Sequence, residues 1–436
     1  MKGERPINAD EPEKAKAAEK PPAPAQARER RPIPMALKLI GGAALLAIVF
    51  IVAAILGGGD GGEPSQPQGP APTVPAEDQA TDSEEPADQS ATELGYPAFA
   101  TANTTRIGGS DPASNAAAAA LAVYPSAKPS QQPQAVTLVG ESDWQAAVAA
   151  AVLMAEPVGA PILFSGPDGA PDPTVEALEA LQPRGGGDTS GAGAFVVGDA
   201  AEPEAGKVTR VEGSGAGAAA AIAALREKLV GSAPRHFVVA PEDPTFAMPA
   251  AAWAARSGDP VLFAGVDELP KPTAAALRRH PKVPVYVLGP AAAISSAVVR
   301  EIGKAGGEVR RVSAAEPVAN AIAFARYSDG EFGWNINDPG HGFVVARYDS
   351  TLDAAAAAPL SAAGTWGPLL LTASGATLPP VLRDYLLDVK PGYTTDPTRA
   401  FYNHVWVIGD QGLIEASQQA EIDELAALAK IGGGSE

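Results

Sequence analysis

Acidic side chains follow apolar runs at several points along the chain. Asp143 and Asp243 lie in loops after two such runs, and Asp349 and Asp353 follow a third. In an open α/β sheet, ligands bind at the loops that follow the carboxyl ends of the strands. These carboxylates could therefore hold a cation or a sugar hydroxyl. The alternative is that they cap helix N-termini by accepting hydrogen bonds from free backbone amides.

Three arginines recur in similar contexts and form a second candidate set. Arg106, Arg210 and Arg311 each lie in a short apolar strand that is followed by small residues and an Ala-rich helix, and they are 104 and 101 residues apart. A guanidinium group can bind the carboxylates or phosphates of a polymer in a bidentate way. Alternatively, the arginines are structural and pair with a helix C-terminus or a neighbouring repeat.

Signals for catalysis are weak. The chain has no cysteine, which excludes disulfides, thiolate catalysis and Cys-ligated metals. Its four histidines lack zinc-site spacing, and no G-x-S-x-G nucleophile motif occurs. The glycines from Gly213 to Gly217 resemble a dinucleotide fingerprint but lack its spacing, which favours a tight βα turn. We therefore expect a non-enzymatic protein with no cofactor and no metal. The formal charge of −19 also argues against nucleic acid as a partner.

Self-comparison reveals three repeats that should position these residues. The arginine strand, a strand–loop–helix unit, a short strand opened by proline and an apolar strand ending in glycine recur in the same order with a period near 100 residues. The proline and glycine motifs stand at Pro161, Pro260 and Pro368 and at Gly198, Gly289 and Gly409. The strands are continuous apolar runs, which is typical of parallel sheets covered on both faces.

The repeats predict an α/β fold of three tandem doubly wound parallel-sheet domains, Rossmann- or flavodoxin-like. The expected boundaries are 98–207, 208–308 and 309–436. The first repeat has residues 200–206 where the second has a helix, so its last helix should be shortened. The third repeat contains an insertion, residues 328–342, that is rich in Gly, Asn, Asp and aromatic residues. Such long loops often bind ligands.

One transmembrane helix is predicted at 35–57, since Leu39 to Leu56 carry no charged, amide or hydroxyl side chain and span roughly 27 Å as a helix. Residues 1–38 hold nine Lys/Arg, whereas residues 57–100 hold none and nine acids. The positive-inside rule places the N-terminus in the cytoplasm and the repeats outside. A cleaved signal peptide is the alternative. Residues 1–34 are expected to be a disordered tail, and 58–97 an extended acidic Pro/Gly linker.

The repeats resemble the cell-wall-binding repeat 2 family of Gram-positive surface proteins. The resemblance covers roughly residues 100–430 and rests on the arginine strands, the proline and glycine motifs, and the loops that contain Trp144, Phe246 and Leu352. It departs from the family at a missing Asp-Arg-Tyr turn and at the second glycine of the last motif. The resemblance implies three modules that attach non-covalently to anionic wall polymers.

The leading hypothesis is a single-pass membrane protein whose repeats bind or organise cell-wall polymer. A second hypothesis is a scaffold that docks another exported protein, for which deletion of the loop 328–342 should abolish capture and leave the fold intact. A third is an enzyme that acts on a nucleotide- or glycan-like ligand, supported only by fold analogy. The candidate binding residues are Arg106, Arg210, Arg311, Asp143, Trp144, Asp243, Asp349 and Asp353.

Overall fold

The structure is a computed structural model that describes residues 99–204, 206–364 and 366–431. The strands are β1 (Phe99–Ala100), β2 (Thr104–Ile107), β3 (Val136–Val139), β4 (Ile162–Phe164), β5 (Ala194–Val197), β6 (Val208–Val211), β7 (Phe237–Pro241), β8 (Val261–Ala264), β9 (Val285–Leu288), β10 (Val309–Val312), β11 (Gly342–Arg347), β12 (Leu369–Thr372), β13 (Gly392–Tyr393), β14 (His404–Ile408) and β15 (Ala429–Lys430).

Helices connect these strands. They are α1 (Pro112–Val123), α2 (Trp144–Ala150), α3 (Asp172–Leu181), α4 (Gly215–Val230), α5 (Pro244–Ala247), α6 (Pro249–Ser257), α7 (Lys271–Arg279), α8 (Ser296–Ala305), α9 (Pro317–Arg326), α10 (Thr351–Ala356), α11 (Ala358–Ala362), α12 (Pro380–Asp388) and α13 (Ala416–Ala426). Several helices begin at a proline in the first turn, where the missing N–H costs nothing.

Three larger sheets form the framework, with strand orders β4-β3-β5-β6, β8-β7-β9-β10 and β12-β11-β14-β2-β1. Every pair in them is parallel except the short β1–β2 edge. Strands β3, β5 and β8 are buried at every residue, as expected for sheets covered on both faces. The predicted α/β class with parallel-sheet units is therefore confirmed. We call the sheets, with the helices between their strands, the first, second and third modules.

The sheets are offset by one strand from the sequence repeats. Each arginine strand completes the sheet formed by the strands that precede it: β6 pairs with β5, and β10 pairs with β9. The third sheet is completed by β2 from the other end of the described chain, with Val405 opposite Thr104 and Ile408 opposite Ile107. The third module therefore depends on β2, a strand that lies about 300 residues before its partner β14 in the sequence.

Ala-rich helices join the three modules at a common centre. Helix α2 of the first module contacts α6 of the second, α6 contacts α11 of the third, and α10 of the third contacts α2. The runs 250–252 and 354–358 are alanine throughout, the run 146–151 is alanine except for Val148, and all these residues are buried. Small side chains let helix backbones approach closely, so the alanine runs follow from packing. One hydrophobic cluster spans all three modules.

The insertion at 328–342 is part of this core. Phe332, Trp334 and Ile336 are buried, and Phe332 stacks on Tyr286 of the second module with ring centroids 3.6 Å apart. Trp253 of α6 contacts both Phe332 and Trp334. The expectation that deleting this loop leaves the fold intact is therefore wrong, because deletion would open a large cavity between two modules.

The predicted tail at 1–34, the membrane helix at 35–57 and the linker at 58–97 all lie outside the described residues, which begin at residue 99. Within the residues that the structure does describe, no helix has the length and apolar character needed to cross a membrane.

Candidate carboxylate-lined crevice

Arg106 lies inside the protein and not at a binding surface. Its side chain is 1% exposed, and burial lowers its pKa to about 10. It donates to the carbonyl oxygens of Gly409 at 2.8 Å and Ile414 at 2.6 Å, and its Nε donates to Gln419 Oε1 at 2.9 Å. These bonds join β2 to the end of β14 and to α13, so Arg106 holds the closing strand of the third module in place.

The other two arginines make the equivalent contact. Arg210 donates to the carbonyl of Gly198 at 2.9 Å, and Arg311 donates to that of Gly289 at 2.5 Å. The acceptor in each case is the glycine that ends the neighbouring strand and adopts a positive φ. The arginine motif and the glycine motif are thus two halves of one structural contact. The geometry favours the structural alternative; a binding role for the arginines stays a prediction.

Asp143 and Asp243 cap helices, as the second alternative for the acids predicted. Asp143 Oδ1 accepts from Ala146 N at 2.9 Å in the first turn of α2, and Asp243 Oδ1 accepts from Thr245 N at 3.0 Å in α5. Asp143 does more than cap its own helix, since its Oδ2 accepts from Gly215 N at 2.7 Å. It therefore ties the N-termini of α2 and α4 together at one edge of the first sheet.

The third module uses its acids differently. Asp349 is paired in a bidentate way with Arg347, at 2.9 and 2.5 Å. Asp353 is 2% exposed and accepts from Asn115 Nδ2 at 2.8 Å, which fixes α10 against α1. The pKa of Asp353 is raised to about 6, chiefly by burial and also by the nearby charges of Asp111 and Asp349, while the hydrogen bond from Asn115 opposes the rise.

Trp144 lies at a contact between modules. Its ring is half-buried at the start of α2 and meets Phe263 of β8 edge to face, with centroids 5.4 Å apart. The contact with Phe263 gives Trp144 a packing role. Its part in ligand binding stays a prediction.

A crevice opens at the carboxyl ends of β3, β5 and β6 in the first module. This is the point where the strand order reverses between β3 and β5, the usual ligand position in open α/β sheets. The crevice encloses about 430 Å³, and an adjoining cavity of about 500 Å³ shares Gly140 and Asp199 with it. Its walls are three loops: residues 140–143 after β3, residues 198–199 after β5, and residues 212–215 after β6.

Carboxylates dominate this crevice. Glu141, Asp143, Asp168, Asp199 and Glu212 line the two adjoining cavities, and among the described lining residues there is no lysine or arginine. Such a surface repels anions and accepts hydrogen bonds from hydroxyl groups. The described residues contain no group of three or more His, Asp or Glu side chains placed to hold a metal ion. Because carboxylates line it, the crevice can accept hydrogen bonds from the hydroxyl groups of a ligand.

Sequence reasoning did not select Asp199, Glu141 and Glu212 as site residues. Asp199 directly follows Gly198, where the chain departs from the family pattern, and this departure was the available signal. Gly140 lets Asp199 approach β3, because a Cβ at Gly140 would lie 2.6 Å from Asp199 Oδ1. That proximity depends on the pairing of β3 with β5 and cannot be read from local sequence.

Comparison with known proteins gives a likeness of fold. No family model matches the sequence, and no curated protein does. The structure is similar to Cwp6 from Clostridium difficile, with a TM-score of 0.57 and 18% identity over 74% of this chain and 48% of that chain. It is also similar to Cwp8 from the same organism, with a TM-score of 0.55 and 19% identity over 75% and 52%. The chain thus spans about half the length of these two structures.

Proposed function

We propose that the chain is a cell-envelope protein whose first module binds a hydroxyl-rich glycan of a cell-wall polymer. The observation that carries the proposal is the crevice lined by carboxylates at the reversal point of the first sheet. The likeness in fold to Cwp6 and Cwp8, both cell wall proteins, supports a role at the wall at a coarse level. Anchoring by residues 35–57 belongs to the same proposal and rests on the sequence alone.

The ligand contacts are assigned to the exposed acids. Asp143 accepts two backbone hydrogen bonds and shapes the crevice, whereas Asp199 and Glu212 are exposed in the loops after β5 and β6. Hydrogen bonds from hydroxyl groups to a carboxylate are charge-assisted and stronger than those between neutral groups. A sugar that bridges the loops after β5 and β6 could satisfy both side chains at once.

Co-sedimentation with purified wall material tests this proposal. The fragment 96–436 should pellet with wall from the source organism, and the double variant Asp199→Asn/Glu212→Gln should need about tenfold more wall for half-maximal pelleting, since two charge-assisted bonds are weakened. The control Glu301→Gln/Asp384→Asn removes the same charge at exposed positions on α8 and α12. If the two double variants pellet equally, the crevice is not the binding site. If the parent fragment does not pellet at all, the proposed binding of wall polymer is wrong.

A further inference from the structure

The first module lacks a helix that the other two possess. In the second module α8 lies between β9 and β10, and in the third α13 follows β14. Between β5 and β6 of the first module, residues 198–204, 206 and 207 contain no helix. The shortening expected from the sequence is therefore a complete loss of this helix among the described residues.

The missing helix leaves apolar side chains of α3 uncovered. Thr174 and Thr273 make the same 2.7 Å bond to Phe164 and Phe263 carbonyls, which aligns α3 with α7. In the second module Leu277 of α7 is 0% exposed and shares a cluster with Val298 and Ile302 of α8.

The positions aligned with Leu277 and Ala274 are Leu178 and Val175 in the first module. Leu178 is half-buried, and Val175 is 41% exposed, whereas Ala274 is 5% exposed. The same positions are therefore covered in the module that has the helix and open in the module that lacks it.

A groove occupies the vacant position. It encloses about 850 Å³ between α3, the start of β5 and the segment after β5, and its apolar lining includes Val175, Leu178 and Ala194. Its rim is acidic: the charged side chains around it are Asp168, Glu179, Glu202 and Glu204, with Arg184 as the single described base. An apolar floor within an acidic rim fits an amphipathic helix with basic flanks.

The exposure of Arg210 in the sheet of the first module is a second sign that a covering helix is missing. In the third module α13 supplies Gln419 to the buried Arg106, whereas the Nε of Arg210 is bonded to Glu202 at 3.1 Å and its side chain is 33% exposed. The arginine is left open where no helix covers it.

We infer that this groove binds an amphipathic helix of a partner protein, which takes the place that α8 and α13 occupy in the other modules. The helix has about three turns, with apolar residues spaced like Val298, Ile302 and Ala305 and with basic residues beside them. The groove meets the cavity beside the crevice at Asp168, Gly169 and Ala170, but it shares no lining residue with the crevice itself. Because Val175 and Leu178 give it an apolar lining, we assign the partner and the polymer to different surfaces.

The test uses a peptide that copies residues 295–306, labelled at its N-terminus and stapled between positions 297 and 301, both exposed in α8. The staple offsets the cost of forming a short isolated helix and removes Glu301, which leaves Arg300 and Lys304 as the charges. Fluorescence anisotropy with the full chain should give saturable binding. The peptide carrying Ile302→Asp should bind at least about tenfold more weakly, because it places a charge on the apolar floor.

A matched pair of protein variants locates the peptide. Val175→Lys changes the groove, and Val381→Lys changes α12 at a valine that is also 41% exposed. Val175→Lys should weaken binding at least about tenfold by adding a like charge, and Val381→Lys should leave it unchanged. Equal effects of the two variants, or no saturation by about 1 mM peptide, would overturn the inference. So would a dimer of the free chain that Val175→Lys dissociates, since a second copy would then fill the groove.

The outcomes separate this inference from the proposed function. Val175→Lys should pellet with wall material like the parent chain, and Asp199→Asn/Glu212→Gln should bind the peptide like the parent chain. Loss of wall binding alone would leave the groove intact as a docking site. Loss of peptide binding in the crevice variant would show that the two surfaces are one.

Discussion

At the scale of single residues, the same side-chain types serve different purposes in the three modules. Asp143 caps a helix at the edge of the crevice, Asp349 pairs with Arg347, and Asp353 is buried beside Asn115. The sequence could predict that acids follow the strands, and it offered capping as one alternative. It could not predict which acid is buried, because the partners of Asp353 lie more than 200 residues away in α1.

The raised pKa of Asp353 makes stability depend on pH. The folded protein holds the proton up to about pH 6, whereas the unfolded carboxyl releases it near its ordinary value of 3.8. Between these values the folded state binds more protons, so the free energy of unfolding falls as the pH rises. Asn keeps the acceptor for Asn115 without the charge, so Asp353→Asn should match the parent at pH 3.5 and exceed it by up to about 3 kcal/mol at pH 7.

Urea unfolding from pH 3.5 to 7 measures this difference. Asp384→Asn on α12 is the control, since it makes the same change at an exposed position. The free energies of unfolding of the parent and of Asp353→Asn could instead differ by the same amount at every pH. That result would mean that the pKa of Asp353 is not raised in the folded protein.

At the scale of elements, the strands were largely predictable and their partners were not. Continuous apolar runs such as Val136–Val139 indicated buried parallel strands, and the repeat order indicated helices between them. The period near 100 residues did not reveal that each arginine strand belongs to the preceding sheet, because a repeat can be cut at any point. The burial of the loop 328–342 was also missed, because its aromatic residues pack against α6 and β9 of another module.

The closing strand β2 should control the stability of the third module. A chain that begins at residue 108 lacks β2 and the Arg106 bonds to Gly409 and Ile414, and it exposes the edge of β14. A chain that begins at residue 96 keeps them and is the control. We expect the shorter chain to melt at least several degrees lower and to exchange the β14 amides much faster, since about 3 kcal/mol or more is lost with a buried charged network. Equal melting temperatures would contradict a structural role for β2.

At the scale of the whole molecule, charge decides what kind of polymer contact is possible. The chain carries 51 acidic and 32 basic residues, and the described residues that line the carboxylate crevice include no lysine or arginine. The family resemblance implies attachment to anionic polymer, whereas the described surface of the crevice favours hydroxyl groups. Composition alone indicated this conflict. Only the geometry showed that Arg106 is buried and that Arg210 and Arg311 donate to backbone carbonyls instead of facing a polymer.

Salt dependence distinguishes the two kinds of wall contact. Attachment through Lys or Arg to polymer phosphates releases counterions, so the affinity would fall by orders of magnitude between about 0.05 and 0.5 M NaCl. Hydrogen bonds between carboxylates and hydroxyl groups release few ions, and salt also screens the repulsion between an acidic protein and an anionic wall. We therefore expect pelleting of the fragment 96–436 to stay constant or to increase over this range.

The Asp199→Asn/Glu212→Gln variant serves as the internal reference for this measurement. With two crevice charges removed, it should pellet weakly at every salt concentration and show less increase with salt than the parent, because less repulsion remains to be screened. A steep fall in parent pelleting with salt would assign wall contact to basic residues elsewhere on the protein, and the carboxylate crevice would then have no part in holding the polymer.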